Sequence, residues 1–196
     1  MSILTRDYSI EFLLGIAIAK RLQNMPDKIG GAGKFLTTVT QGLVKPSELP
    51  VTKWKAACVG SMSGTFEPDI TGRLITKTNS NMFIFVYLRE QNPALASLYM
   101  SRFVQLVIDE LSGCDWRGEI PDISNPALWT NGIPPNLSPV AYWYDSDFSG
   151  IHLVVADYDY GDVFHTLGID GAEYDLKPPN YGIRVGLSVK IGTGNL

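Results

Sequence analysis

The sequence predicts an α+β fold: a mainly antiparallel β-sheet packed with two principal helices, at about 6–24 and 93–111. Three observations predict it. Apolar residues recur at helical spacing in two places, within 10–18 and 95–111. Apolar and polar residues alternate with period two over 183–191. The elements follow one another as helix, strands, helix, strands. With 196 residues, 45% hydrophobic and 18% charged, the chain reads as a single domain, 1–196, with a Pro-rich excursion at about 114–139.

The first helix is expected over Thr5–Asn24. Thr5 can cap it, Asp7 and Glu11 suit its positive end, and Lys20 and Arg21 suit its negative end. Ile10, Leu13, Leu14, Ala17 and Ile18 form one stripe, which Phe12, Ile16 and Ala19 widen well beyond one face. A helix apolar most of the way round is buried on several sides. Pro26, Gly30, Gly31 and Gly33 end it, and a short strand is expected within Phe35–Val44.

Trp54–Phe66 reads as a strand broken by Gly60 and Gly64. Leu74–Thr76 and Met82–Leu88 read as two strands joined by a turn at Thr78-Asn79-Ser80-Asn81. The continuous run from Phe83 to Leu88 suits a central strand covered on both faces. Asn92-Pro93 then opens the second helix: Asn92 caps, and Pro93 occupies the first helical position, where a missing N–H costs nothing. Gly113 is placed to close it.

Pro121, Pro126, Pro134, Pro135 and Pro139 rule out long regular elements over 114–139. Trp116 and Trp129 lie in this stretch, either tethering it to the core or anchoring a partner. Strands are expected at Val140–Tyr144, Ile151–Tyr158 and Val163–Leu167, separated by acidic turns. The alternation of Ile183, Val185, Leu187, Val189 and Ile191 with Arg184, Gly186, Ser188 and Lys190 implies one buried and one wet face.

Charge is segregated along the chain. Residues 1–117 carry a net of +3, residues 118–176 carry ten acids and no Lys or Arg, and residues 177–196 carry three cations and no acid. So strong a local field of one sign argues against DNA wrapping over that part of the surface. No run reaches the roughly 18 apolar residues of a membrane helix, and Phe12–Ala19 lacks the flanks of a secretory signal. No membrane partner and assembly in a cytoplasm are therefore expected. Cys58 and Cys114 read as reduced thiols acting as small hydrophobes.

Candidate chemistry fails on spacing. Gly30-Gly31-Ala32-Gly33-Lys34 has Lys28 where a phosphate loop needs its first glycine, and Phe35 where it needs Ser or Thr. In Gly60-Ser61-Met62-Ser63-Gly64 the nucleophile position of a hydrolase elbow holds Met62. His152 and His165 lie in β-type segments and read as structural. Asp145-Ser146-Asp147-Phe148-Ser149-Gly150 has the head of a calcium loop, but Ala156 stands where the twelfth-position acid belongs. The sequence thus assigns no catalytic residue, no metal site and no cofactor, and the chain reads as a protein that works through contacts with other chains.

The layout resembles that of the tail-terminator and tail-completion (neck) proteins of tailed phages. It does so in the first helix Thr5–Asn24, the strand group ending in Met82–Leu88, the helix Pro93–Leu111 with Ser112-Gly113 at its end, and the β segments after it. The length and the insertion at 114–139 depart from that pattern and fit another neck or collar ring protein equally. The resemblance implies a virion structural protein assembled in the host cytoplasm as a homo-oligomeric ring, a hexamer or dodecamer. Such a ring caps the tail tube and joins tail to head. The implied partners are tube, sheath or head-completion proteins, with DNA only as passing cargo. On that footing Asp145, Asp147, Asp157, Asp159 and Asp162 are candidates to line a channel that repels phosphate, and Phe12, Ile16, Trp116 and Trp129 are candidates for subunit interfaces. The alternatives are another virion or secretion-machine structural protein, a protein-binding module, or a metal-assisted enzyme using the acidic turns.

Overall fold

The computed structural model describes residues 10–26, 33–42, 55–67, 77–111, 119–121, 126–128, 130–131, 133, 137–139, 150–160 and 180–192. Their elements run α1 (Ile10–Asn24), β1 (Thr38–Gln41), β2 (Lys55–Glu67), β3 (Lys77–Arg89), α2 (Pro93–Leu111), β4 (Glu119–Pro121), a 3-10 turn (Pro126–Leu128), β5 (Leu137–Pro139), β6 (Gly150–Tyr160) and β7 (Asn180–Gly192). Five strands form one sheet in the order β1-β2-β3-β7-β6, and β4 and β5 form a separate two-stranded ribbon. Only β1–β2 is parallel; the other pairings of the main sheet are antiparallel. The fold is α+β, as the pattern of elements predicts.

Registers align the apolar residues into rows. Ala57 stands opposite Val86, and Val86 opposite Ile183; Val59, Ile84 and Val185 make the next row. These six join Leu14, Ile18 and Leu22 of α1 and Phe103, Leu106 and Val107 of α2 in one core. Both helices therefore cover the same face of the sheet. α1 packs across β1 and β2, and α2 packs towards β6, with β3 and β7 beneath it. Arg21 of α1 donates to the Glu110 carbonyl of α2 at 3.4 Å, tying the helices at one end.

β3 is the covered central strand that its run of aromatic and aliphatic residues requires. It lies between β2 and β7, and Ile84 to Leu88 are buried without interruption. The remaining interior residues on its second side include Phe85, Tyr87, Ala56 and Cys58, all 2% exposed or less. Cys58 is a buried thiol whose S–H donates to the Tyr87 hydroxyl at 3.8 Å; Cys114 lies outside the described residues.

Four expectations are corrected. Thr78-Asn79-Ser80-Asn81 is not a turn: it is paired on both sides inside β3, Asn79 opposite Thr65 and Lys190, Ser80 opposite Gly64 and Val189. Two flanking ladders override the turn preference of these residues. Gly60 and Gly64 do not break β2, which runs unbroken; the ladder instead slips between Ser61 and Ser63, a β-bulge that absorbs one residue. β7 buries Ile183, Val185 and Leu187 on one face as expected, but its other face is half-buried instead of wet. It sits between β3 and β6, Gly182 and Gly186 are buried, and Arg184 is half-buried with its guanidinium 5.3 Å from the centre of the Phe83 ring. The longer side chains beside them on β3 shield Gly182 and Gly186, which have no side chain to reach out to water. Ile16 is also not at the surface, as set out below. The expected strands at Leu74–Thr76, Val140–Tyr144 and Val163–Leu167 lie outside the described residues, as do Thr5–Ser9 and Gly113.

Candidate interaction surface

α2 starts where its cap is built. The Asn92 side-chain oxygen accepts from the amides of Ala94 (3.0 Å) and Leu95 (3.4 Å), and the Asn92 carbonyl takes the Ala96 amide at 2.9 Å. Glu90 in turn accepts from the Asn92 amide at 3.1 Å. The helix then buries Ala96, Phe103, Val104, Leu106, Val107 and Leu111. On its other face Leu95 is 40% and Leu98 49% exposed.

 From Pro93 to Ser101 the helix carries no charged residue, so these two leucines, one turn apart, form an apolar strip that water faces. Among the described residues, two further large apolar side chains are exposed: Tyr158 of β6 at 52%, and Leu128 of the 3-10 turn at 61%.

The residues singled out as interface candidates divide. Ile16 is 0% exposed, and Leu14, Ala17, Ile18, Ala19 and Leu22 around it are 2% or less. The sheet, β4 and α2 cover α1 from within the chain, so its all-round apolar surface needs no sibling subunit to hide it. Phe12 is half-buried and packs against the core. Trp116 and Trp129 lie outside the described residues. Helical spacing counts Leu95 with the apolar stripe of α2, yet it is exposed, and neither Leu98 nor Leu128 is marked out by the sequence pattern. The uncharged stretch after the Asn92 cap is the signal that could have found the first two.

Of the acidic candidates, Asp157 and Asp159 stand near the end of β6, the last strand of the described sheet, opposite Gly186 and Arg184 of β7. The ladder slips between Val155 and Asp157. Asp145, Asp147 and Asp162 lie outside the described residues. The structure therefore brings two of the five onto one strand.

Among the described residues, no three His, Cys, Asp or Glu come together as a metal site. One small depression is lined by Phe35, Lys55, Val86, Leu88, Tyr99 and Phe103, among others, and encloses about 10 Å³. That is barely room for one water molecule. The Lys55 ammonium stands over the Tyr99 ring at 3.9 Å and 5.1 Å from the centre of the Phe35 ring, which makes the depression a packing joint between β2 and α2. Ser61 and Ser63 lie inside β2, so no strand-to-helix elbow exists there. Lys34 forms a bridge with Pro26 and donates to Asn24 at 3.2 Å, tying the chain after the glycine-rich stretch back to the end of α1. No described helix is long and apolar enough to cross a membrane.

No family model matches the chain, and no curated protein matches it in sequence. A solved structure does share its fold: a chain from the virion of a native gene transfer agent (GTA) particle, at a TM-score of 0.50 and 16% identity. The match covers 94% of this chain and 98% of that chain.

Proposed function

We propose that this protein is a non-enzymatic structural subunit of a phage-like virion, and that it forms a ring at the neck or head-proximal end of the tail, as a tail terminator or tail-completion protein does. The observation that carries the reading is the likeness to a chain of the gene transfer agent virion, which spans nearly the whole of both chains. The layout resemblance to tail-terminator proteins supports the finer assignment.

The chemistry of the surface is compatible with this. A ring subunit meets its neighbours through two unlike surfaces, because rotational symmetry makes each contact heterologous. The strip at Leu95 and Leu98 and the exposed Leu128 are apolar surfaces of the required kind. Phe12, Trp116 and Trp129 remain candidates for the same contacts. The acidic residues Asp145, Asp147, Asp157, Asp159 and Asp162 would line the channel, where a wall of one sign lets DNA pass without holding it. Tube, sheath or head-completion proteins would be its partners, and the virion its location, after assembly in the host cytoplasm.

Native mass measurement across a concentration series, followed by imaging of any ring, tests the reading. A closed hexamer or dodecamer is expected. A chain that stays monomeric at the highest concentration and turns over a small molecule overturns it. A ring with the five acids on its outer rim overturns the channel assignment alone.

A further inference from the structure

Among the described residues, the Pro-rich excursion meets the main fold where β4 packs on α1 and again at a small turn. Thr130 and Ile133 exchange both backbone hydrogen bonds, N–H to carbonyl at 2.9 and 3.0 Å, which closes a two-residue hairpin turn. Asn131, the first residue of that turn, has φ 55°, the left-handed conformation that Asn tolerates better than most residues. Its carbonyl accepts the Gln41 amide at 2.9 Å. Ile133, at the far end of the turn, is 2% exposed and belongs to the main core.

The other half of the joint is shaped to receive it. The last amide of β1, Gln41, goes to Asn131, and the next amide, Gly42, takes over the bond to the Val59 carbonyl at 2.8 Å. Gly42 has φ 92°, which a side chain would strain. The Gln41 side chain lies against α1 so closely that a Cβ on Gly15 would stand 2.7 Å from its nitrogen. One residue thus touches α1, β1 and the excursion.

We infer that the Thr130–Ile133 turn is a latch that fixes the excursion to the end of β1 in the isolated chain, before any partner binds. The latch holds a polar point, Asn131 on Gln41, and an apolar point, Ile133 in the core. The 3-10 turn that carries Leu128 ends two residues before it, so Leu128 is mounted close to a fixed point. A surface ordered in advance does not lose chain entropy when it is buried. The inference stands whether or not the ring reading is correct.

Hydrogen exchange on the full chain, diluted until it is monomeric, tests the latch. The Gln41 and Ile133 amides are expected to be protected in the unaltered chain. Ile133→Ala should speed their exchange roughly 30-fold or more, and the milder Ile133→Val roughly two- to tenfold, from the usual cost of removing buried methyl groups. Ile84 and Val185 amides in the sheet, away from the joint, should change much less, because the opening is local. Exchange of Gln41 and Ile133 at the rate of an unstructured peptide in the unaltered chain overturns the inference. So does an equal acceleration at Ile84 and Val185 in the Ile133→Val variant, which would show that the turn opens only when the whole fold does.

Discussion

α1 and α2 lie on the same face of one sheet, and both are rich in apolar residues, but they differ in what covers them. From Leu14 to Ala19 every α1 residue is buried, and β1, β2, β4 and α2 supply the cover. α2 buries one face and leaves Leu95 and Leu98 in water. The apolar width of a helix therefore does not reveal whether a second chain is needed. α1 has the wider stripe and needs none; the narrower α2 is the one with apolar surface left over. For burial within one chain the deciding quantity is how many elements reach the helix, and α1 sits where the sheet, the small ribbon and the other helix converge.

This contrast can be broken most severely at Ile16. Replacing it with Ala should cost about 2–5 kcal/mol, because the surrounding side chains close the cavity only in part. Denaturant unfolding of the variant checks this, and a loss below about 0.5 kcal/mol would contradict its burial within the chain. The cap of α2 is the next test. Asn92→Ala removes the acceptor for two amides and should cost about 1 kcal/mol, read as a lower midpoint of thermal unfolding. The smallest effect on stability is expected at the exposed strip. Leu95→Glu with Leu98→Glu should leave stability within about 0.5 kcal/mol per substitution, since neither side chain is in the core. The same pair should abolish or sharply weaken self-association in sedimentation, because burying two carboxylates at an apolar contact is unfavourable. If association survives the double substitution, the strip is not where copies meet.

Several elements were legible from local chemistry. Asn92-Pro93 located the start of α2 because cap and first-turn residue act within a few residues of each other. The alternation from Ile183 to Ile191 located β7, and the Phe83–Leu88 run located the covered part of β3. The latch was also written locally, in Asn131-Gly132, a dipeptide suited to a two-residue hairpin turn, but the prolines around it drew the reading towards an irregular loop. The exposed strip on α2 was harder to see, because exposure depends on what packs beside the helix.

The sequence by itself located α1, α2, β2, β6, β7 and the apolar part of β3, where α2 is capped, and that this part of β3 must be covered on both faces. These follow from periodicity and from hydrogen bonds between near neighbours along the chain. Only the tertiary structure decided that Thr78–Asn81 pair instead of turning, that β7 lies between β3 and β6, that β1 runs parallel to β2, and that α1 is buried by its own chain. Those outcomes depend on contacts between residues far apart in sequence, where two ladders or several packed elements outweigh a local preference of about 1 kcal/mol.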